Sequence, residues 1–253
     1  HDIYLPNPLL TEKIRASSFT ATISEHNVDL LRRRCGAEAA RKVALVRCGV
    51  PLGAFPMREG APAGRPKIVS VGRLVDYKGF PTLLDAVRLL REQGREIDCT
   101  IVGEGPMLVP IRERIRREHR GGTVRLLGSR TQSEVRDLLA GASLCVLASE
   151  RGRDGQMDGI PVVLMEALAL GVPSVSTRIS GIPELIEDGV TGLLVPPGDA
   201  GSLAEAVARL LDDPVLAARL AAAGRRRIEE SYDAARNAGV LLGLIEERTR
   251  ETS

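Results

Sequence analysis

"KIVSVGRLVDYKGFPTLLDAVRLLREQGREIDCTIVGEG" runs from Lys67 to Gly105. Two short apolar runs, KIVSVG and DCTIVG, bracket a stretch with helical spacing over about residues 81–93. Pro81 suits the first turn of such a helix, where its missing N–H costs nothing. Strand, helix, strand is a βαβ unit, and the pattern continues. VRLLG, LCVLAS, VPSVST and GLLVP are further apolar runs. Helical stretches lie between most of them, over about residues 108–118, 132–140, 161–170 and 202–211. Short continuous apolar strands alternating with helices predict a parallel sheet covered on both faces, with right-handed crossovers. The expected fold is a Rossmann-like, doubly wound α/β domain, which binds ligands beyond the carboxyl ends of its strands.

Upstream, SFTATIS (residues 18–24) alternates like a strand, and Ser24 can cap a polar helix from about Glu25 to Arg34. KVALVR (residues 42–47) reads as a second strand. This small region cannot build much core alone. A Gly- and Pro-rich stretch follows between Arg47 and Lys67 and has the composition of a linker. Ala-, Arg- and Glu-rich helices are expected from about Leu216 to Arg250.

Composition narrows the function classes. With 35 basic and 33 acidic residues the charge is nearly balanced, which argues against a dedicated nucleic-acid binder. Aromatics are 2% and hydrophobics 43%, so the core must be mainly aliphatic. Cys35, Cys48, Cys99 and Cys145 form no CxxC pair, so reduced thiols without a structural metal are expected. DGQMDG (residues 154–159) is too loose for a metal loop. No apolar run reaches the roughly 18 residues of a membrane span, and no signal peptide is evident. A cytoplasmic protein is expected. The chain opens on His1, so it looks like a piece of something longer.

Chemistry is sought in the loops after the strands. Arg73 and Lys78 bracket the loop after the first strand of the βαβ unit. Two cations beside a helix N-terminus suit an anion, most simply phosphates; the plain alternative is two solvated surface charges. Gly103 and Gly105 give GxG, but Leu108 occupies the place of a dinucleotide fingerprint's third glycine, so a tight turn is the better reading. In DGIPVVLMEALALGV a single carboxylate, Glu166, sits inside an apolar run. It needs a partner to offset its desolvation. Either an arginine on a neighbouring helix supplies it, or a ligand diol does, since a carboxylate can accept from two hydroxyls. Free N–H groups of Gly159, Ile160 and Val162 at the helix start would point at anionic or hydroxyl oxygens.

Taken together and in order, VGRLVDYKG, IVGEGP, VRLLG, DGIPVVLMEALALGVPSVST and GIPELIEDGVTGLLVPPGD resemble the retaining glycosyltransferases of the family-4 type, which have the GT-B fold. The likeness runs from about Ser17 to Tyr232. It implies that Arg73 and Lys78 hold a donor diphosphate and steady the departing phosphate. Glu166 matches the second acid of an acid-x7-acid motif, which binds the donor ribose. Asp158 matches the first acid, which meets hydroxyls of the transferred sugar. Gly159 and Ile160 would contact sugar or phosphate through the backbone. The turn from Gly128 to Arg130 would face the base, and Gly72, Gly105, Pro161 and Val162 complete the implied donor-binding set.

The sequence departs from the family pattern in places. Asp158 stands where Glu is usual and is one carbon shorter, and Pro161 removes one backbone donor. HDIY looks like the tail of a histidine motif whose key residue lies earlier, so His1 receives no catalytic role. The implied layout is a remnant of the acceptor-side domain at 1–55, a linker at 56–66, a donor-binding domain at 67–225 and C-terminal helices at 226–253.

The implied reaction moves a sugar from a nucleotide diphosphate-sugar to an acceptor hydroxyl with retention, in polysaccharide or glycoconjugate biosynthesis. It needs no metal and no cofactor beyond the donor. The acceptor would be a carbohydrate or a lipid-linked species, with peripheral contact at the inner face of the membrane through the missing domain. A non-catalytic nucleotide-sugar binding module and a GT-B nucleotide-sugar epimerase are the alternatives. The basic stretch IRERIRREHRGGTVR (residues 111–125) reads as a solvated helix face, because Glu113 and Glu118 interleave with its arginines.

Overall fold

The computed structural model describes residues 3–5, 7, 9–118 and 122–251 of the 253. His1 and Asp2, and residues 119–121 within the basic stretch, lie outside the described residues. A small unit comes first: α1 (Leu10–Ala16), β1 (Thr20–Thr22), α2 (Glu25–Ala40) and β2 (Val43–Leu45), with β1 and β2 parallel. The main sheet opens with β3 (Lys67–Val71), α3 (Phe80–Glu92), β4 (Asp98–Val102), α4 (Leu108–Glu118) and β5 (Val124–Leu126). It continues through α5 (Gln132–Ala140), β6 (Leu144–Leu147), α6 (Val162–Ala169), β7 (Ser174–Thr177), α7 (Ile182–Leu185), β8 (Leu193–Val195) and α8 (Ala200–Asp212). Two longer helices follow, α9 (Pro214–Ser231) and α10 (Ala234–Glu251).

The six strands are parallel, in the order β5-β4-β3-β6-β7-β8. The chain winds outward from β3 to one edge, returns to β6, and winds to the other edge. This is the doubly wound order, and it reverses between β3 and β6. The loops leaving these two neighbouring strands must diverge there, which opens a crevice at their carboxyl ends.

Side chains alternate along each strand and sort into two cores. Ile68, Cys99, Ile101, Leu144 and Val146 pack with Phe80, Leu84, Ile111 and Val207, under α3, α4 and α8. Val69, Val102, Cys145 and Leu147 pack with Leu139, Leu164, Leu168 and Ile228, under α5, α6 and α9. Helix α6 is buried from Val163 to Ala169, between the sheet and its helical neighbours, which is why its sequence is apolar on every side. The core is aliphatic apart from a few rings; Tyr232, Phe55 and Phe80 are among its largest fully buried side chains. The first unit contributes only a small cluster of buried residues around Ile14, Leu31, Cys35 and Ala39.

Several boundaries differ from the sequence expectation. Helix α2 continues past Arg34 to Ala40, through a break at Gly36, whose φ is +81°. The short helices α1 and α7 were not expected. Pro161 is not the first residue of α6 but its N-cap, with φ −65° and ψ 125°. The boundary expected between residues 225 and 226 falls inside α9. That helix cannot be set apart from the domain, because Gly224 lies against Leu168, and Ile228 and Tyr232 are part of the core under the sheet. The expected remnant likewise gives Val50 and Phe55 to that core. Val50 donates to the Tyr232 carbonyl, and the Ala234 N–H donates to Val50.

Among the described residues no helix is long and apolar enough to cross a membrane. Two arginines of α4 are paired locally: Arg114 binds Asp85 and Glu118, and Arg117 binds Glu118. Those two arginines hold the Glu118 carboxyl down at about 2. The four cysteines are free thiols, and burial pushes Cys99 and Cys145 up to about 12.

Candidate functional site

The crevice at the strand switch is a real cleft of about 470 Å³. Gly72, Lys78, Arg130, Pro161, Val162 and Glu166 all line it, although they come from three separate stretches of sequence. Gly72 follows β3, Arg130 and Gln132 stand where β5 leads into α5, and Pro161 opens α6.

Lys78 reaches the cleft by crossing the face of Gly72. A Cβ on Gly72 would come within 3.4 Å of the Lys78 Cδ. Gly79 makes the turn possible: its φ is +63°, and a Cβ there would lie 1.7 Å from the Ala148 carbonyl oxygen. Only glycine lets the β3–α3 turn press on the end of β6. The Lys78 Nζ lies 2.6 Å from Asp158 Oδ1, and both side chains are largely buried. The Ser149 hydroxyl donates to Asp158 Oδ2. The first acid of the motif is therefore held by the cation of the neighbouring loop.

Glu166 is 7% exposed. Among the described residues it has no arginine partner. Its one hydrogen bond comes from Gln132 Nε2 to Oε1, at 3.2 Å. Burial raises its carboxyl above the usual carboxylate range, and the Gln132 amide only partly offsets this. A buried acid with one neutral partner, lining an open cleft, is an incomplete hydrogen-bond set. The arginine-paired alternative is thereby removed. Above it, Pro161 offers no side-chain cap. The N–H groups of Val162 and Val163 find no acceptor among the described residues and lie at the cleft wall. An unfilled helix N-terminus favours negative charge.

Other expected residues are placed differently. Arg73 is exposed, outside the cleft lining, and its guanidinium has no partner among the described residues. Gly105 does not line the cleft either. A Cβ there would meet the Leu74 carbonyl at 2.5 Å, and one on Gly103 would meet the Gly72 carbonyl at 1.9 Å. The GxG stretch therefore serves close loop packing. It also braces the next turn: Gly103 N–H donates to Gly128, and Glu104 accepts from the Ser129 N–H. Gly159 and Ile160 pack against Ile23 and Gly181 and lie beside the cleft lining. Arg130 is partly spent on the Ser129 carbonyl and on Glu134 at 3.7 Å. Gln132 and Ser149 were missed by the sequence reading. A glutamine opening α5 just after Arg130 was the available signal for the first.

Gln132→Leu should push the Glu166 carboxyl still further above its ordinary range, because the one donor is gone. A ¹³C-carboxyl titration of Glu166 checks this. An unmoved titration would mean the amide does not stabilise the charged form.

The sequence profile of the glycosyl transferases group 1 matches residues 55–227. The amylovoran biosynthesis glycosyltransferase AmsK of Erwinia amylovora is 36% identical over 205 residues, which is 81% of this chain and 50% of that protein. Glycogen synthase of Mycobacterium tuberculosis is 30% identical over 221 residues, 87% of this chain and 52% of that protein. A crystal structure of Anabaena HepE in complex with UDP-glucose superposes with a TM-score of 0.81 at 20% identity, covering 98% of this chain and 71% of that one. The chain spans about half the length of the curated relatives it matches.

Proposed function

Because the chain belongs to the group 1 glycosyl transferases, we propose that it carries the donor side of a retaining glycosyltransferase. The donor is a nucleotide diphosphate-sugar, and the product is a polysaccharide or glycoconjugate. The observation that carries this reading is one cleft holding Lys78, an incompletely bonded Glu166 and an unfilled helix N-terminus. These three features match three parts of one ligand. Glu166 accepts from the ribose hydroxyls. Lys78 and the Val162 and Val163 N–H groups face the diphosphate, and Arg73, on the same loop as Lys78, adds positive charge. Asp158, kept in place by Lys78 and Ser149, meets a sugar hydroxyl beside Gly159 and Ile160. The Gly128–Arg130 turn lies toward the base.

The same groups account for the chemistry. The bond between the anomeric carbon and the phosphate oxygen breaks, and the acceptor hydroxyl attacks the same face of the ring, its proton passing to the departing phosphate. Negative charge grows on the leaving diphosphate while the ring gains positive charge. Fixed donors and cations aimed at that oxygen lower the barrier without reorganising. HepE, similar in fold, has been crystallised with UDP-glucose, and AmsK is named for amylovoran biosynthesis, which supports both halves of the reading.

Calorimetry of this chain with UDP, ADP and GDP tests the donor assignment. At least one nucleoside diphosphate should bind more tightly than its nucleoside, because the diphosphate adds charge-assisted contacts. Equal affinity for nucleoside and diphosphate would overturn it. Retention is read from the anomeric proton coupling of the product made by the whole protein, and an inverted coupling would overturn that part.

A further inference from the structure

Glu184 does not touch the cleft, yet it ties the first unit of the fold to the turn that opens α6. It lies in α7, where Pro183 and the Ile182 and Leu185 side chains anchor a single helical turn. Its Oε2 accepts from the Glu25 N–H and its Oε1 from the His26 N–H, both at 2.9 Å. These are the first two N–H groups of α2. Ser24 Oγ accepts from the Asn27 N–H, and the Ser24 carbonyl takes the Val28 N–H as the first bond of the helix, so the three free donors at Glu25, His26 and Asn27 are all satisfied. Two of those three are capped by a residue 159 and 158 positions further along the chain. Arg47 approaches the same carboxylate at 3.8 Å, and Tyr4 joins Asn27 to Ser180 through its hydroxyl.

The contact has a second layer. Gly181, three residues before Glu184, leaves no room for a side chain: a Cβ would meet Ile160 Cγ1 at 2.9 Å, Ser24 Cβ at 3.0 Å and the Gly159 carbonyl at 3.1 Å. On its other side Gly159 lies against Ile23, whose Cδ1 would be 3.1 Å from an added Cβ. The Gly159–Ile160 turn is thus clasped between Gly181 and the Ile23–Ser24 pair. Glu184 spans the two sides, because it lies on the helix that follows Gly181 and accepts from the helix that follows Ser24.

We propose that Glu184 is a positioning residue for the donor site. By holding the N-terminus of α2, it seats Ile23 and Ser24 on the Gly159–Ile160 turn and so aims the free N–H groups of α6 into the cleft. The effect on ligand rests on the donor-site reading given above; the effect on the turn does not.

Two variants separate the possibilities. Glu184→Ala removes the acceptor. Glu25→Pro removes one donor and leaves the donor domain untouched; Pro is suited to the first position of a helix, and Ser24, with φ −147° and ψ 152°, already has the extended backbone that precedes proline. Methyl NMR of the ligand-free chain follows the NOE from the Ile23 δ1 methyl to the Gly159 Hα and the shift of the Ile160 methyl. Calorimetry compares UDP with uridine. Both variants should weaken the NOE, move the Ile160 methyl and lower UDP affinity roughly five- to tenfold, the low end of couplings between sites, while uridine affinity holds. Faster amide exchange at Glu25 and His26 with an unchanged NOE, Ile160 shift and UDP affinity would overturn the proposal and leave Glu184 as a helix cap only. If wild type binds none of UDP, ADP and GDP, the donor reading fails, and the NOE still decides whether Glu184 sets the turn; if it binds ADP or GDP and not UDP, that diphosphate and its nucleoside replace UDP and uridine.

Discussion

Lys78→Ala is expected to cost about 3–5 kcal/mol of folding stability, the usual penalty for removing one partner of a buried ion pair. The cause is the carboxylate it leaves behind. Asp158 is 8% exposed and would keep only the Ser149 hydroxyl. The same variant should weaken UDP binding by about 10- to 100-fold, since a charged hydrogen bond to phosphate is lost. The two losses have different origins, so a second change should part them. In Lys78→Ala/Asp158→Asn no unpaired charge remains, and the asparagine carbonyl can still accept from Ser149. Most of the stability should return while UDP binding stays weak. Urea melts and calorimetry on the three proteins decide it. A double variant no more stable than the single one would show that the cost lies in lost packing along the Lys78 stem over Gly72.

Much of this was legible before any coordinates, and the reason is local. The βαβ runs announce themselves because a strand buried on both faces must be continuously apolar, and α4 and α5 begin and end where their sequence spacing places them. Glu166 stood out because a carboxylate inside an apolar helix needs an explanation. Its partner did not. Gln132 lies 34 residues away, and nothing in α5 alone says that it faces α6. The same holds for Ser149 under Asp158 and for Glu184 under α2, since each bond exists only through the order of the strands. Gly105 shows the opposite case. The resemblance put it in the donor-binding set, whereas the GxG pattern itself read as a tight turn, and its contact with the Leu74 carbonyl shows that the backbone needs the room. The boundary placed after Arg225 failed because a polar, Arg-rich helix surface hides the contacts that Gly224 and Ile228 make on the other side.

Glu166→Gln should make the free protein more stable and the bound complex weaker. The pH dependences of stability and binding should also run in opposite directions. Burial raises the Glu166 carboxyl above its ordinary value, so between the ordinary and the raised value the folded state holds more protons than the unfolded one. Stability from this group is therefore complete at acid pH and is lost as pH rises through the raised value. Glutamine cannot ionise and removes that loss while keeping a hydrogen bond to Gln132. Binding has the other sign. The ribose hydroxyls need an acceptor with both oxygens free of protons, so affinity for UDP-glucose should rise over the same pH interval in which the free protein weakens. UDP-glucose suits the measurement because its diphosphate, esterified at both ends, has no second proton to lose near neutrality. At pH above that interval the glutamine variant should bind roughly 10- to 100-fold more weakly, the scale of charged hydrogen bonds, and should show neither trend. A 2′-deoxy donor should reproduce part of this loss in wild type and add nothing to it in the variant. Equal binding of UDP-glucose by both proteins would remove the ribose from Glu166. The carboxylate would then be a buried charge that the fold tolerates for another reason, and the cleft would need a different ligand to complete it.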